Sequence, residues 1–503
     1  MGDFKEIRSE ISLPVCVHDE FCGGCIYQGM PYEEQLALKE KEVRQYFEDR
    51  GVKVERFDGI EGCPKDHKYR YRNKMEYTFG DFVKDGPICL GMHKKKNFMS
   101  IVTVDQCQLV DEDFNQILKF HLDFAEEKGY VHYNKKSHKG LLRNLVVRKG
   151  IRTGELLINL VTTREEGFDE ESYVKGLQQL PLDNRIVGIL RTFNDNIADK
   201  VTCEELKVLF GRDYYMEEIL GLSFKVSAFS FFQTNVEAVE RLYSEALALI
   251  DDFSGKRCFD LYCGTGTISQ ILALKAKEVT GVELVEEAVE AARVNAELNG
   301  LDNCKFIAGD VFKVLQGLDE KPEVIVVDPP RVGMTMDAVE KIISYGVPQI
   351  VYISCNPKSL ALNLQQFMYN GYEVKYAKPF DNFPWTKHVE TIVLLSHKSS
   401  DSVINVKVEF GEGEGRVPLD AIAERAKKYQ SKPKITYKMI QEYVEKKYGL
   451  KVHTAYIAEV KRSLGLTMYD APNTTEELRQ PRKCPPKEKV EAITEALKYF
   501  EVI

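Results

Sequence analysis

The chain has 503 residues, of which 29% are charged and 44% hydrophobic, and its formal net charge is −9. This length exceeds what one hydrophobic core can organise, so we expect two to four domains of an ordinary globular protein. The net charge argues against a protein that coats nucleic acid indiscriminately, although it is compatible with a local basic surface. Because no apolar run approaches the roughly 20 residues that span a bilayer, and the polar N-terminus lacks a signal peptide, we expect a cytoplasmic protein without membrane association.

Three of the twelve cysteines lie close together near the N-terminus. The segment CVHDEFCGGC contains Cys16, Cys22 and Cys25, and its two glycines let the backbone fold tightly around a shared ion. In a reducing compartment such cysteines are better interpreted as ligands than as disulfides. The alternative is that they are three unrelated small core residues.

Three thiolates do not complete a closed metal site, so a fourth ligand must come from elsewhere. Cys107 is the best candidate because it lies in a polar break between apolar runs, and Cys63 and Cys89 are the alternatives. A site of four thiolates suits either zinc or an iron–sulfur cluster, although zinc ribbons more often have two CxxC pairs.

Two basic regions indicate RNA as a partner. The sequence KDHKYRYRNKMEY alternates lysines and arginines with tyrosines. On a strand this period of two places the basic side chains on one face and the aromatic rings on the other. Cations beside aromatic platforms are typical of single-stranded RNA binding, whereas the alternative is a surface strand over a tyrosine core. The segment Val131–Thr153 contains no acidic residue and seven lysines and arginines: Lys135, Lys136, Lys139, Arg143, Arg148, Lys149 and Arg152.

Regular alternation of strands and helices begins at Lys256. The run RCFDLYCGTGTISQILA predicts a strand, a glycine turn and a helix, where Gly264 and Gly266 let the backbone approach a ligand. Acidic residues end three successive strands: Glu283, Asp310 and Asp328. This pattern suits a nucleoside with a cationic sulfur better than a diphosphate, and it favours S-adenosylmethionine over NAD.

The stretch Pro322–Leu360 predicts two buried parallel strands, Val324–Val327 and Ile350–Ile353, around a helix near 337–345. The first strand ends at DPPR and the second at SCNP. Because ligands bind beyond the carboxyl ends of parallel strands, Asp328 and Cys355 are expected to face one cavity. This position makes Cys355 a candidate nucleophile.

From about Val15 to Ser396 the chain resembles the RNA uracil-C5 methyltransferases, which form 5-methyluridine in bacterial rRNA and tRNA. The resemblance is carried by the four cysteines and by FFQTN, DLYCGTGT, GVE, DPPR, SCNP and HVET, in this order. It implies a 4Fe-4S cluster on Cys16, Cys22, Cys25 and Cys107. It also implies S-adenosylmethionine contacts from Gln233, Tyr262, Glu283 and Asp328, with Gly264 and Asp310 nearby.

The chemistry of such an enzyme assigns two roles. Uracil C5 is a weak nucleophile, and a thiolate that adds to C6 activates it, which is the role expected of Cys355. After methyl transfer a carboxylate must remove the C5 proton, and its position in HVET makes Glu390 resemble the base of the family. The target uridine is expected to leave its stack.

The resulting prediction is an α/β protein with a Rossmann-like methyltransferase domain. The chain is predicted to divide into five parts: a cysteine segment at 1–30, an amphipathic helix within 31–60, a mostly β RNA-binding domain at 61–227 that completes the cluster, the methyltransferase domain at 228–398 and a helical accessory domain at 399–503. The accessory domain is compatible with a helix-turn-helix. We expect a monomer.

The preferred substrate is 23S rRNA, because many tRNA relatives lack the cluster cysteines, and the alternative is the tRNA T-loop. A TRAM domain, which rRNA relatives often carry, has no room before Cys16. An alternative function that is not enzymatic, that of a metal-cluster RNA-binding protein, is disfavoured by the presence of Cys355 and Glu390.

Overall fold

The computed structural model describes residues 14–64, 67–197, 203–397, 437–464 and 485–500. The chain divides into two compact units, Met1–Val403 and Ile404–Ile503. One sequence expectation, the boundary between the domains at 228–398 and 399–503, lies outside the described residues.

The first half of the larger unit contains a sheet of seven strands in its described part, in the order β4-β3-β2-β5-β6-β7-β8. Neighbouring strands are antiparallel except for β6 and β7. The elements are α1 (Tyr32–Asp49), β1 (Val54–Phe57), β2 (Lys74–Asp81), β3 (Ile88–Lys94), β4 (Asn97–Thr103), α2 (Glu112–Lys128), β5 (Leu142–Lys149), β6 (Glu155–Thr162), α3 (Glu170–Gln178), β7 (Arg185–Phe193), β8 (Glu205–Gly211) and the hairpin β9 (Tyr214–Ile219) and β10 (Leu222–Ser227).

Over the described residues 67–73 the predicted alternating strand is wrong, since β2 begins only at Lys74. Before it the backbone turns, with Arg70 in the left-handed region at a φ of 54°. The tyrosines of this segment make packing contacts within the protein. Tyr69 stacks on Trp385 with ring centroids 5.0 Å apart, while Tyr71 and Tyr77 are buried.

The second half forms a mixed sheet with helices on both faces, which confirms the α/β prediction. Its strand order is β1-β16-β17-β15-β14-β11-β12-β13 in the described part. The elements are α4 (Val236–Ala248), β11 (Arg257–Leu261), α5 (Thr267–Ala273), β12 (Glu278–Glu283), α6 (Glu286–Leu298), β13 (Cys304–Ala308), α7 (Val311–Gly317), β14 (Val324–Val327), α8 (Met336–Ser344), β15 (Gln349–Ser354), α9 (Pro357–Tyr369), β16 (Tyr372–Phe380) and β17 (Glu390–His397).

The β-branched runs of the central strands are buried on both faces, as parallel strands require. On β14, Val324 and Val326 pack into one core while Ile325 and Val327 pack into the other. Because β12 lies on one side of β11 and β14 on the other, the strand order reverses direction beside β11. Such a switch point opens a crevice at the carboxyl ends of the strands. The early strand β1 pairs with β16, so the segment after α1 also belongs to this sheet.

The smaller unit contains helices α10 (Tyr437–Tyr448), α11 (Thr454–Ser463) and α12 (Lys487–Tyr499) among its described residues. Ile440, Val444, Ile457 and Ile493 are buried between them. The helix-turn-helix interpretation of this region stays a prediction. Within the described ranges, no helix has the length and apolar character needed to cross a membrane.

Candidate active site

A cavity of about 1650 Å³ opens at the carboxyl ends of β11, β12, β14 and β15. Eight residues that the sequence predicted for catalysis or cofactor binding line it, whereas Gly266, which was expected to approach a ligand, does not: Gln233, Tyr262, Gly264, Glu283, Asp310, Asp328, Cys355 and Glu390. The first and last of these residues are more than 150 positions apart in the chain, and the switch point of the sheet brings them together. Their convergence is a geometric finding, while the role of each stays a prediction.

The glycine turn after β11 exposes its backbone to this cavity. Gly264 has a φ of 54° and open space where a Cβ would lie, so a ligand can approach the main chain there. A Cβ on Gly266 would lie 2.8 Å from Phe306 and 2.9 Å from Ala292, so this position needs glycine for packing. Tyr262 adopts a φ of 67°, a strained conformation that is common at functional sites.

The Glu283 carboxylate is oriented by two backbone donors. The N–H of Gly264 donates to Oε2 at 3.1 Å and the N–H of Val285 donates to Oε1 at 3.0 Å. Each oxygen keeps lone-pair capacity for a further hydroxyl donor. This arrangement suits the expected contact with ribose hydroxyls.

The loop that carries Gln233 is tied to the seven-stranded sheet. The Gln233 carbonyl accepts from Asn73 Nδ2 at 2.9 Å, and the Asn73 backbone N–H donates to the Thr234 carbonyl at 3.0 Å. The Gln233 side chain donates to the Tyr243 hydroxyl at 3.0 Å. The residue just before β2 of the seven-stranded sheet therefore holds a loop that lines the cavity.

Asp310 also has a structural role. It is the N-cap of α7, where its Oδ1 accepts from the Lys313 N–H at 3.1 Å. An acidic residue at a strand end is thus explained in part by the helix that follows.

Cys355 lies in a loop that is fastened to the DPPR segment. Asn356 Nδ2 donates to the Arg331 carbonyl at 2.7 Å, and the Ser359 hydroxyl donates to the same oxygen at 3.1 Å. Asn356 also caps α9 by accepting from the Lys358 N–H. These bonds fix the ends of β14 and β15 relative to each other and confirm that Asp328 and Cys355 face one cavity.

Three acidic groups in this cavity oppose each other's ionisation. Burial and, to a smaller extent, the charge of Asp260 raise the pKa of Asp328 to about 7. Burial and Asp328 hold the pKa of Glu390 well above its ordinary value. Burial, Glu390 and Asp328 raise the pKa of the Cys355 thiol to about 11, against the opposing effect of the Arg331 cation. The site therefore favours neutral side chains until a cation enters.

Sequence reasoning assigned no role to Arg331 and His388, which also line the cavity. Arg331 lowers the pKa of both Cys355 and Glu390. Burial, together with Arg331, lowers the pKa of His388 to about 4, so its imidazole is neutral near pH 7. Their places in DPPR and HVET were the available signals.

The segment 381–389 before Glu390 is anchored from several directions. Lys39 Nζ forms a fully buried ion pair with Asp381 at 2.6 Å and also donates to the Phe383 carbonyl at 3.2 Å. The indole of Trp385 donates to the Lys68 carbonyl at 2.8 Å, and the Gln35 side chain accepts from the Trp385 N–H. Helix α1 therefore does more than pack, because it positions the strand that carries Glu390.

The four predicted cluster cysteines lie near one another. The pKa of Cys25 is raised to about 12 by burial and by Cys107, Cys22 and Cys16. Cys25 and Cys107 also pack against the cluster that contains Trp385. Nevertheless, no group of three or more His, Cys, Asp or Glu side chains in the described ranges is arranged to hold a metal ion. The donor set suits a metal by its chemistry, but the structure does not show the predicted cluster.

Comparisons with known proteins agree on one family. Residues 31–398 match the sequence model described as tRNA (uracil-5-)-methyltransferase. The chain is 50% identical over 399 residues to an uncharacterized RNA methyltransferase of Clostridium acetobutylicum, covering 78% of this chain and 87% of the relative. It is 49% identical to a similarly named protein of Caldanaerobacter subterraneus, covering 77% of this chain and 85% of the relative.

A solved structure is similar as well. The tRNA (uracil-54, C5)-methyltransferase of Pyrococcus abyssi, in complex with S-adenosyl-L-homocysteine, superposes with a TM-score of 0.61 at 26% identity. The match covers 74% of this chain and 86% of that one. The larger unit thus has an α/β methyltransferase fold.

Proposed function

Since the chain belongs to the tRNA (uracil-5-)-methyltransferase family, whose members are S-adenosylmethionine-dependent RNA methyltransferases, we propose that it methylates uridine C5 through a covalent adduct on Cys355. The observation that carries this proposal is the common cavity of Cys355, Glu390 and Asp328. It contains a nucleophile and a base that interact electrostatically.

Cys355 begins the reaction as a thiolate. Its sulfur forms a bond to C6 of the uracil ring, and the electrons of the C5–C6 double bond move toward O4 to give an enolate. C5 then becomes nucleophilic and takes the methyl group. Because the pKa of Cys355 is raised to about 11 in the free site, the thiolate depends on incoming positive charge and on Arg331.

S-adenosylmethionine supplies an electrophilic methyl group on a cationic sulfur. Gln233, Tyr262, Gly264, Glu283, Asp310 and Asp328 are the residues that would hold it. Their chemistry fits this ligand, since the exposed glycine turn accepts close contact and the carboxylates suit hydroxyl donors and a cation.

Glu390 completes the cycle by taking the surplus proton from C5. The C5–H electrons then restore the double bond and expel the Cys355 thiolate. A carboxyl whose pKa is raised well above its ordinary value is a stronger base than an ordinary glutamate once it is ionised.

For the RNA substrate, we keep 23S rRNA as the first candidate because of the four cysteines. The named target of the similar Pyrococcus abyssi structure favours tRNA as the second. Either requires a uridine that leaves its stack to reach Cys355.

The test uses 5-fluorouridine RNA, whose fluorine blocks the final proton removal. We expect wild-type protein with S-adenosylmethionine to form an adduct that survives denaturing electrophoresis, and Cys355→Ala to form none. Parallel reactions on a 23S rRNA fragment and a tRNA transcript identify the RNA class. An adduct that persists in Cys355→Ala contradicts the nucleophile assignment. Glu390→Gln should instead accumulate adduct on unmodified RNA.

We further propose that Cys16, Cys22, Cys25 and Cys107 hold a 4Fe-4S cluster, with zinc as the alternative. Their mutual effect on the pKa of Cys25 supports a shared site. Anaerobically purified protein is expected to absorb at roughly 400 nm, as thiolate-ligated clusters do, and Cys25→Ser to lose this band. Colourless protein that contains stoichiometric zinc supports the alternative. Colourless protein without metal contradicts both.

A further inference from the structure

Three cations lie close together where the seven-stranded sheet approaches the cavity, and one of them lines it. Arg72 lies just before β2 and lines the cavity, Lys74 begins β2, and Arg148 lies on β5 in register with Lys74. We name Arg72, Lys74 and Arg148 the cation cluster. Burial, Arg148 and Arg72 all lower the pKa of Lys74, which indicates that the three charges are close together.

The described carboxylates compensate this cluster poorly. Glu76 interacts with both Lys74 and Arg148, but its oxygen is 3.9 Å from Lys74 Nζ and its side chain is largely exposed. In the described part of the chain, the buried Nε of Arg72 has no hydrogen-bond partner, which is costly. The Arg148 guanidinium is only 1% exposed and interacts with Tyr215.

The cluster is attached to the loop that leads to Gln233. Arg148 Nη2 donates to the Ser230 carbonyl at 2.6 Å, and Ser230 lines the cavity beside the exposed Phe231. Asn73, between the two cations of the first segment, holds the same loop by its bond to the Gln233 carbonyl. Arg72 and the loop therefore form one wall, and Arg148 supports this wall through its bond to Ser230.

Three other cations of the basic segment are unavailable for such a role. Lys149 pairs with Asp111 at 2.7 Å and Arg152 with Glu240 at 2.7 Å, while Arg143 is buried. Elsewhere the cavity presents the carboxylates of Glu283 and Asp310, which repel phosphates, together with the cation Arg331. A polyanion that enters this site needs a local positive charge.

We propose that the cation cluster binds a phosphodiester of the RNA chain next to the uridine that enters the cavity, with Arg72 as the residue that touches it. The inference rests on the proposed function, because it takes RNA as the substrate. A phosphate oxygen accepts from the Arg72 guanidinium and offsets the clustered charge.

The test is the salt dependence of RNA binding in the Cys355→Ala background, where no covalent step occurs. Fluorescein-labelled tRNA transcript and 23S rRNA fragment serve as probes. Adding Arg72→Gln is expected to weaken binding about tenfold at low salt. The slope of log affinity against log salt should fall by roughly 0.7, the value for one phosphate on a single strand. Arg72→Lys should restore most of the slope.

Arg152→Gln is the matched control, since its charge is already paired with Glu240, and it should leave the slope unchanged. Equal thermal midpoints exclude misfolding. An unchanged affinity and slope in Arg72→Gln overturn the inference while leaving the adduct result intact. Failure of the Cys355→Ala protein to bind either RNA overturns the inference together with the proposed function.

Discussion

Cys355 lies in surroundings that keep its thiol protonated in the free protein. Burial, Glu390 and Asp328 all raise its pKa, and Arg331 is the opposing cation. A thiolate at rest would make the residue vulnerable to oxidation. The arrangement couples ionisation of the nucleophile to the arrival of positive charge in the cavity.

This environment predicts a steep pH dependence of Cys355 alkylation. Because the pKa is raised to about 11, the iodoacetamide rate should rise about tenfold for each pH unit from about pH 7 to about pH 10, following the thiolate fraction. Mass spectrometry of the Cys355 peptide measures this rate. Arg331→Gln removes the cation that lowers the pKa, so its profile should move to higher pH. A profile that levels off near about pH 8, close to an ordinary cysteine, contradicts the account.

At the scale of elements, the segment 381–389 links α1 to the strand that carries Glu390. The Lys39–Asp381 pair is fully buried, and the Tyr32 hydroxyl donates to the same carboxylate at 2.9 Å. Asn382, Phe383, His388 and Glu390 line the cavity. A helix far away in sequence therefore fixes one side of the site.

Lys39→Met is expected to destabilise the larger unit by roughly 3–5 kcal/mol, because it leaves the Asp381 charge buried without its partner. Trp385 is the single tryptophan of the chain and lies in the affected segment. Its fluorescence during urea unfolding therefore monitors the transition.

Lys41→Met provides the control for Lys39→Met, since Lys41 is exposed on the same helix. This substitution should change stability by no more than about 0.5 kcal/mol. Equal effects of the two substitutions contradict the anchoring role of the buried pair.

At the scale of the whole molecule, the net charge is negative, but positive charge is concentrated locally where we propose that RNA binds. The net charge is −9, yet Arg72 of the cation cluster lines one wall of the cavity, while acidic residues lie at the strand ends. The separation places phosphate attraction beside the Gln233 loop and cofactor attraction at the strand ends. The helical unit after residue 403 is a separate body, and its function stays a prediction.

The sequence alone determined the methyltransferase sheet and the residues around its crevice. Short β-branched runs ended by DPPR and SCNP identify buried parallel strands, and their carboxyl ends necessarily meet at one edge. The positions of Asp328 and Cys355 therefore followed from periodicity and local breaks. These signals are short-range, so they do not depend on distant contacts.

Only the tertiary structure decided how the basic and aromatic residues are used. Alternation in KDHKYRYRNKMEY predicted a two-faced strand, but Arg70 turns the backbone and Trp385, more than 300 positions away, takes the adjacent ring as a packing partner. Pairing with remote carboxylates likewise neutralised Lys149 and Arg152 and left Arg72 facing the cavity. A charge or ring acquires its role from partners that the fold brings to it, and periodicity carries no information about those partners.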